Sequence, residues 1–287
     1  MNVLLLGSNG QLGWELQRTC PKNITLTFCD YPKIDFGSTD SITQCINSTQ
    51  PDCIINAAAY TAVDKAEQNQ ELAYRINHQA VIEIAEHCRQ NKISLIHIST
   101  DFIFNGQNFK PYKPDDIPDP KSVYAKSKLK GEQAVGQILG DTALIIRTAW
   151  LYSSHGNNFV KTMLTLMNDR QSLNVIDEQI GTPTWANGLA IAIWNSLANN
   201  LQGTFHWTDA GVASWYDFAM AIQEEGIQSG LLNHSIPIYP VPSSAYPTPA
   251  KRPMYSVLDK SSFWQALNHT PVHWRVQLRS MLKELDQ

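Results

Sequence analysis

The chain has 287 residues and a formal net charge of -4, from 22 Lys and Arg against 26 Asp and Glu. That is enough chain for a full core and a second lobe, and a mildly acidic balance without clustered Lys and Arg excludes nucleic acid, so a small-molecule partner is expected. No apolar run approaches the ~20 residues of a bilayer span, and the opening MNVLLLG lacks a basic stretch and a cleavage site, so a cytoplasmic protein without membrane contact is expected.

The first strand is predicted at Asn2–Leu6, and it runs into the GxxGxxG turn Gly7-Ser8-Asn9-Gly10-Gln11-Leu12-Gly13 that opens a helix. Gly7, Gly10 and Gly13 let the backbone approach a pyrophosphate, which the helix N-terminus favours with unpaired N–H groups and its dipole. A second strand, Ile24–Cys29, ends at Asp30, about 20 residues on, where a carboxylate accepts the ribose hydroxyls of an adenosine. Asp30 would repel a 2′-phosphate unless Lys33 offsets it, so NADPH and NADH both stay open. The third strand, Cys53–Asn56, ends in Ala57-Ala58-Ala59, whose small side chains serve a cofactor or plain helix–strand packing equally well.

A helix follows over Glu71–Gln90, with Leu72, Ile76, Ala80, Ile84 and Cys88 at helical spacing. The fourth strand, Ser94–Ser99, delivers Thr100 and Asp101 to the carboxyl edge of the sheet; a helix over Val123–Ile138 and a fifth strand, Ala143–Thr148, come next. This alternation predicts a Rossmann-like, doubly wound parallel sheet covered on both faces. Past Trp150 the pattern loosens into helices near Phe159–Met167, Trp185–Leu197 and Ser214–Glu225, then a proline-rich ordered loop over the substrate, Pro237–Pro253. Expected domains are a dinucleotide-binding unit over 1–168 and a smaller C-terminal substrate-binding lobe over 169–287, with chain crossing back between them. Cys20, Cys29, Cys45, Cys53 and Cys88 show no CxxC spacing and read as reduced thiols, without metal or disulfide.

Tyr124 and Lys128 lie one helical turn apart on the same face. A phenol of reference pKa ~10 rarely ionises near neutrality, and an adjacent ammonium makes it a better proton donor toward a developing alkoxide. The Thr100 hydroxyl can hold the carbonyl oxygen being reduced.

GSNGQLGWELQ (Gly7–Gln17), NAAAYTAVDKAE (Asn56–Glu67), STDFIFNG (Ser99–Gly106), VYAKSKLKGE (Val123–Glu132), RTAWLY (Arg147–Tyr152), GNNFVKTM (Gly156–Met163) and VPSSAYPTPAKRP (Val241–Pro253) span nearly the whole chain. Together they resemble the extended short-chain dehydrogenase/reductases and, within them, the dTDP-4-dehydrorhamnose reductase family. The resemblance implies NADPH- or NADH-dependent reduction of the C4 keto group of dTDP-4-dehydro-L-rhamnose to dTDP-L-rhamnose, by a monomer or homodimer. It implies a catalytic triad of Thr100, Tyr124 and Lys128, with Asp101 near the sugar. Cofactor contacts are implied from Gly10, Gln11, Leu12, Asp30, Asp35, Phe36, Ala59, Tyr60, Thr61 and Lys128, and substrate contacts from Trp150 and, at the pyrophosphate, Arg252. Some members are joined into dimers by magnesium between glutamates; Glu15 matches such a position, but Asn187 stands where a second carboxylate is expected, so no metal ligand is assigned.

Two other readings compete. A nucleotide-sugar dehydratase or epimerase of the superfamily would keep its cofactor bound, oxidising and re-reducing its own substrate; dehydratases resemble one another in an acidic pair after the position of Asp101, where this chain has Phe102, which supplies no acid or base. A non-catalytic, NADP-binding partner protein, like the regulatory subunit of methionine adenosyltransferase, would keep similar motifs without consuming cofactor.

Overall fold

A computed structural model describes residues 1–285. The first half alternates β1 (Asn2–Leu6), α1 (Gln11–Arg18), β2 (Thr25–Cys29), α2 (Thr39–Thr49), β3 (Cys53–Asn56), the short helices α3 (Val63–Ala66) and α4 (Gln70–Tyr74), a π-helical turn at Arg75–Gln79, α5 (Ala80–Asn91), β4 (Ser94–Thr100), α6 (Val123–Leu139) and β5 (Leu144–Thr148). The second half holds β6 (Leu151–Tyr152), α7 (Phe159–Asp169), β7 (Leu173–Ile176), β8 (Ile180–Gly181), β9 (Thr184–Trp185), α8 (Ala186–Ala198), β10 (Gly203–His206), β11 (Ala213–Ser214), α9 (Trp215–Gln228), β12 (Ile238–Val241), α10 (Ser261–Ala266) and α11 (Trp274–Leu285).

Six parallel strands make the central sheet in the order β10-β5-β4-β3-β1-β2. The strand order reverses between β1 and β3, and ligands of such sheets bind outside the carboxyl ends at that crevice. Alternating side chains cover both faces. Leu4, Leu6 and Ile54 pack under Ile42, Ile84 and Val135 of α2, α5 and α6, whereas Val3, Leu5, Ile55 and Ile96 pack against Leu12 and Leu16 of α1 and Leu189 and Ile193 of α8. Each such side chain contributes about 1.5–3 kcal/mol when fully buried. A separate core in the second half joins Met163 and Met167 of α7, Phe218 and Ile222 of α9, and Leu278 and Met281 of α11.

Four features differ from the sequence expectation. The sheet has a sixth strand, β10, so chain beyond residue 200 returns to pair with β5. The helix α2, not anticipated from the sequence, buries a short stripe of Ile42, Cys45 and Ile46 and is capped by Ser38, whose side chain accepts a bond from Ser41 N. The helix expected over Glu71–Gln90 is interrupted by the π turn, which presses the Asn77 carbonyl onto α6 at Gly131, where a Cβ would come within 2.1 Å of that oxygen. The proline-rich stretch contains β12, paired in parallel with β7. Among the described residues no helix is long and apolar enough to cross a membrane.

Candidate active site

The glycine turn closes the carboxyl end of β1. Gly7 has φ +83° and a Cβ there would meet Ala58 N at 2.6 Å, while a Cβ on Gly13 would lie 2.2 Å from the Gly7 carbonyl oxygen. Gly10 differs, because its nearest neighbour would be that same oxygen at 3.5 Å. Two of these glycines therefore hold the turn shut, and the third leaves open space above it. Gly10 caps α1 without a side-chain bond, so the N–H groups of the first turn stay available to an anion. This cradle fits a dinucleotide pyrophosphate.

Asp30 uses one oxygen to accept Asn9 N at 2.9 Å and the other to accept Tyr31 N at 2.8 Å. A carboxylate has about four lone-pair sites, so two remain for ribose hydroxyls. Asp35 accepts Gly37 N at 2.7 Å, and the half-buried Phe36 packs beside the core under β1. Gln11 donates through its side-chain amide to Leu151 O and accepts from Asn158 Nδ2 at 3.0 Å, so its side chain is committed to loop 151–158. His155 bonds Asn9 O at 3.0 Å, so loop 151–158 braces the whole turn.

Ala59, Tyr60 and Thr61 follow β3. The buried Asn77 clamps the Tyr60 peptide from both sides: its Oδ1 accepts Tyr60 N at 2.8 Å and its Nδ2 donates to Tyr60 O at 3.1 Å. Asn77 Nδ2 also donates to Ser127 Oγ at 3.0 Å, and Ser127 Oγ donates to Tyr124 O at 2.8 Å. One asparagine thus joins the β3 loop to the Tyr124-bearing turn of α6. The sequence reading missed it; the signal was a polar residue on an otherwise core-facing helix.

Thr100 ends β4, and its Oγ1 donates to Asp101 Oδ1 at 3.1 Å. Burial pushes the Tyr124 phenol up to about 12, with the Thr100 hydroxyl beside it pulling down and Asp101 pushing further up. Asp101 is pushed up to about 6 by burial. The Lys128 ammonium, buried and donating to Ile98 O at 2.7 Å, is brought down to about 8, although Glu132 opposes the shift. Desolvation is the largest influence on the Tyr124 phenol, and the Lys128 ammonium keeps two N–H donors beyond the one on the Ile98 carbonyl. Phe102 packs edge-on against the Tyr124 ring at 5.9 Å.

Beneath this cluster lies a buried polar network. Ser99 Oγ donates to Glu132 Oε2 at 2.7 Å, and Arg147 Nε donates to the same carboxylate at 3.1 Å. Arg147 also reaches Pro114 O at 2.8 Å and His206 Nε2 at 3.2 Å. Arg147 sits on β5 and His206 on β10, so the returning strand completes the floor of the site.

Trp150, two residues past the Thr148 that faces Thr100 across β4 and β5, stacks on Trp215. Trp215 was missed in the sequence. A cavity of about 400 Å³ opens beside it, lined by Asn105, Gln107, Lys121, Gln179, Ser243, Lys251 and Arg252 among others. Asn105–Gln107 line one side of it, while the proline-rich stretch Pro237–Pro253 contributes only from Ser243 onward, because Ile238–Val241 is committed to pairing with β7. Thr100 and Tyr124 do not line this cavity. Arg252 does, and its guanidinium is held by Asp64, with Nη2 to Oδ2 at 2.6 Å.

Glu15 is fully buried and accepts from Arg18 Nε at 2.6 Å, Ser153 Oγ at 2.9 Å and Asn187 Nδ2 at 3.0 Å. Three of its about four lone-pair sites are thereby engaged, and among the described residues no group of three or more His, Cys, Asp or Glu is arranged around a metal position.

The family model for the RmlD substrate binding domain matches residues 1–287. The chain belongs to that family. It is similar to the dTDP-4-dehydrorhamnose reductase of Escherichia coli (strain K12), at 39% identity over 99% of this chain and 98% of that protein. Among solved structures, it is similar to the dTDP-4-dehydrorhamnose reductase of Clostridium acetobutylicum ATCC 824, with a TM-score of 0.93, 35% identity and full coverage of both chains. The enzyme of Bacillus anthracis str. Ames, solved in complex with NADP, superposes with a TM-score of 0.92 at 32% identity over 99% of each chain. In this RmlD-family chain the parallel sheet and glycine turn form the Rossmann-type frame of an extended short-chain reductase.

Proposed function

We propose that the chain is a dTDP-4-dehydrorhamnose reductase that reduces the C4 keto group of dTDP-4-dehydro-L-rhamnose, consuming NADPH or NADH, in the cytoplasm. The observation that carries this reading is the cluster of Thr100, Tyr124 and Lys128 at the carboxyl edge of the same sheet whose β1 ends in an open glycine cradle. When bound, the reduced nicotinamide supplies hydride to the sugar carbonyl carbon.

The residues do the rest. Thr100 orients the carbonyl oxygen, and Tyr124, kept neutral by its raised pKa, gives that oxygen its proton. General-acid assistance of this kind is worth about 10²–10⁴ in rate. Lys128 has donors left beyond the one on Ile98 O, suited to a nicotinamide ribose hydroxyl. Phe102 offers no acid for elimination, which favours reduction over dehydration. Trp150 flanks the sugar, and the cations along the 400 Å³ cavity suit a nucleoside diphosphate. On this reading residues 1–168 with the returning α8 and β10 bind dinucleotide, and the remainder of 169–287 binds substrate.

The test is loss of reduced-cofactor absorbance with enzymatically generated dTDP-4-dehydro-L-rhamnose, for NADPH and NADH separately, in wild type and Tyr124→Phe. Turnover that falls by about 10²–10⁴ in the variant is the expected result. Folded wild type that binds either cofactor and consumes neither would overturn the reading in favour of a non-catalytic binding protein.

A further inference from the structure

We propose that Asp64 is a positioning residue that fixes Arg252 for the diphosphate of the nucleotide sugar; this rests on the substrate reading above. The two residues stand 188 positions apart. Asp64 lies on α3, just past the cofactor-side loop Ala59–Thr61, and Arg252 lies in the strap 243–254 that walls the 400 Å³ cavity.

The hydrogen bonds leave a specific remainder. Asp64 Oδ2 accepts Arg252 Nη2 at 2.6 Å, and Asp64 Oδ1 accepts Nη1 at 3.1 Å and Ala250 N at 3.2 Å. Nη1 also donates to Ala250 O at 3.4 Å. A guanidinium has five N–H donors. Both on Nη1 and one on Nη2 are thereby used, which leaves the Nε–H and the second Nη2–H, side by side on one edge. That edge is the fork that grips a phosphate with two parallel bonds. Asp64 takes the end of the guanidinium and leaves its side free.

The strap has a second anchor. Ile180 N donates to Met254 O at 2.8 Å, and a Cβ on Gly106, whose φ is +77°, would meet Met254 N at 2.7 Å. Backbone packing holds the strap there and Asp64 holds it at Ala250 and Arg252. Of the other cations on the cavity, Lys121 is engaged by Asp119 at 2.6 Å. Arg252 holds the Asp64 carboxyl below the usual carboxylate range, so the pair is charged at neutral pH.

The proposal makes a prediction opposite to simple charge counting, under which removing a carboxylate near a diphosphate site strengthens anion binding. Titration calorimetry with dTDP and with thymidine, on wild type, Asp64→Asn, Arg252→Ala and the double variant, decides between them. Expected is dTDP binding about tenfold weaker in Asp64→Asn, as for loss of one charged hydrogen-bonded contact. Thymidine affinity should not change, and the double variant should be no weaker than Arg252→Ala alone. Asp64→Asn binding dTDP as well as or better than wild type would overturn the proposal, as would losses that add in the double variant. Wild type that binds dTDP no better than thymidine would instead overturn the diphosphate reading itself.

Discussion

The indole of Trp150 lies flat on that of Trp215, with ring centroids 3.6 Å apart and planes 8° from parallel. Trp150 reaches this position from a left-handed backbone, φ +47°, and only because Gly181 lacks a Cβ, which would come 2.6 Å from the Trp150 ring. Trp215 is fixed in turn by its Nε1 bond to Gln179 at 3.2 Å. Gly181→Ala should therefore push the indole off the stack, cost about 1–3 kcal/mol as over-packing does, and raise the KM for the nucleotide sugar. Urea unfolding and steady-state kinetics measure both, and a variant indistinguishable from wild type would show that the stack does not shape the pocket.

Lys128 sets an alkaline limb. Its ammonium, at about 8 where an ordinary lysine stands at 10.5, loses its proton as pH rises through about 8. The Tyr124 phenol, at about 12, stays protonated throughout that range. Since kcat/KM reports groups of the free enzyme, kcat/KM for the sugar should decline above pH 8 with a midpoint belonging to Lys128. A profile level to about pH 9.5 would rule out a requirement for its charge.

The Glu132–Arg147 pair is buried on both sides, with side-chain exposures of 8% and 6%. Removing one partner of such a pair leaves an uncompensated charge, which costs about 3–5 kcal/mol. Glu132→Gln should lose that much in denaturant unfolding, and a loss below about 1 kcal/mol would mean that Pro114 and His206 alone satisfy Arg147.

Asp209 is pushed up to about 7 by burial, against the pull of its bond from Trp185 N. The folded chain therefore holds this proton more tightly than the unfolded chain. The stability it contributes is complete below the ordinary value of 3.8 and is lost as pH rises through about 7. Asp209→Asn removes the titration. Melting temperatures of wild type and variant, compared between about pH 4.5 and pH 7.5, should shift relative to each other in the variant's favour as pH rises; a constant difference would contradict the assignment.

What could be read in the sequence was what local chemistry demands of single residues. Gly7, Gly10 and Gly13, the acid at Asp30, and the spacing of Tyr124 and Lys128 are short-range constraints, and the central strands β1, β3, β4 and β5 are buried on both faces and so read as apolar runs. The strand β10 has no such run, since Gly203, Thr204 and His206 sit at a sheet edge. The π turn at Asn77 exists because of Gly131 on another helix, and Arg252 is oriented by a carboxylate 188 residues away. The burial that raises the Tyr124 phenol likewise belongs to the assembled fold and not to its local sequence.

The late return of β10 also bears on how the protein is made. Five strands of the sheet exist once Thr148 has been synthesised, but the partner of β5 ends at His206. At about 5–20 residues per second, the edge of β5 waits roughly 3–12 seconds for its neighbour on the ribosome. During that interval an apolar edge flanked by Ile145 and Ile146 is open to strand pairing with another nascent chain. Early release at the end of the first half would leave that edge exposed permanently, and a fragment cut there should aggregate.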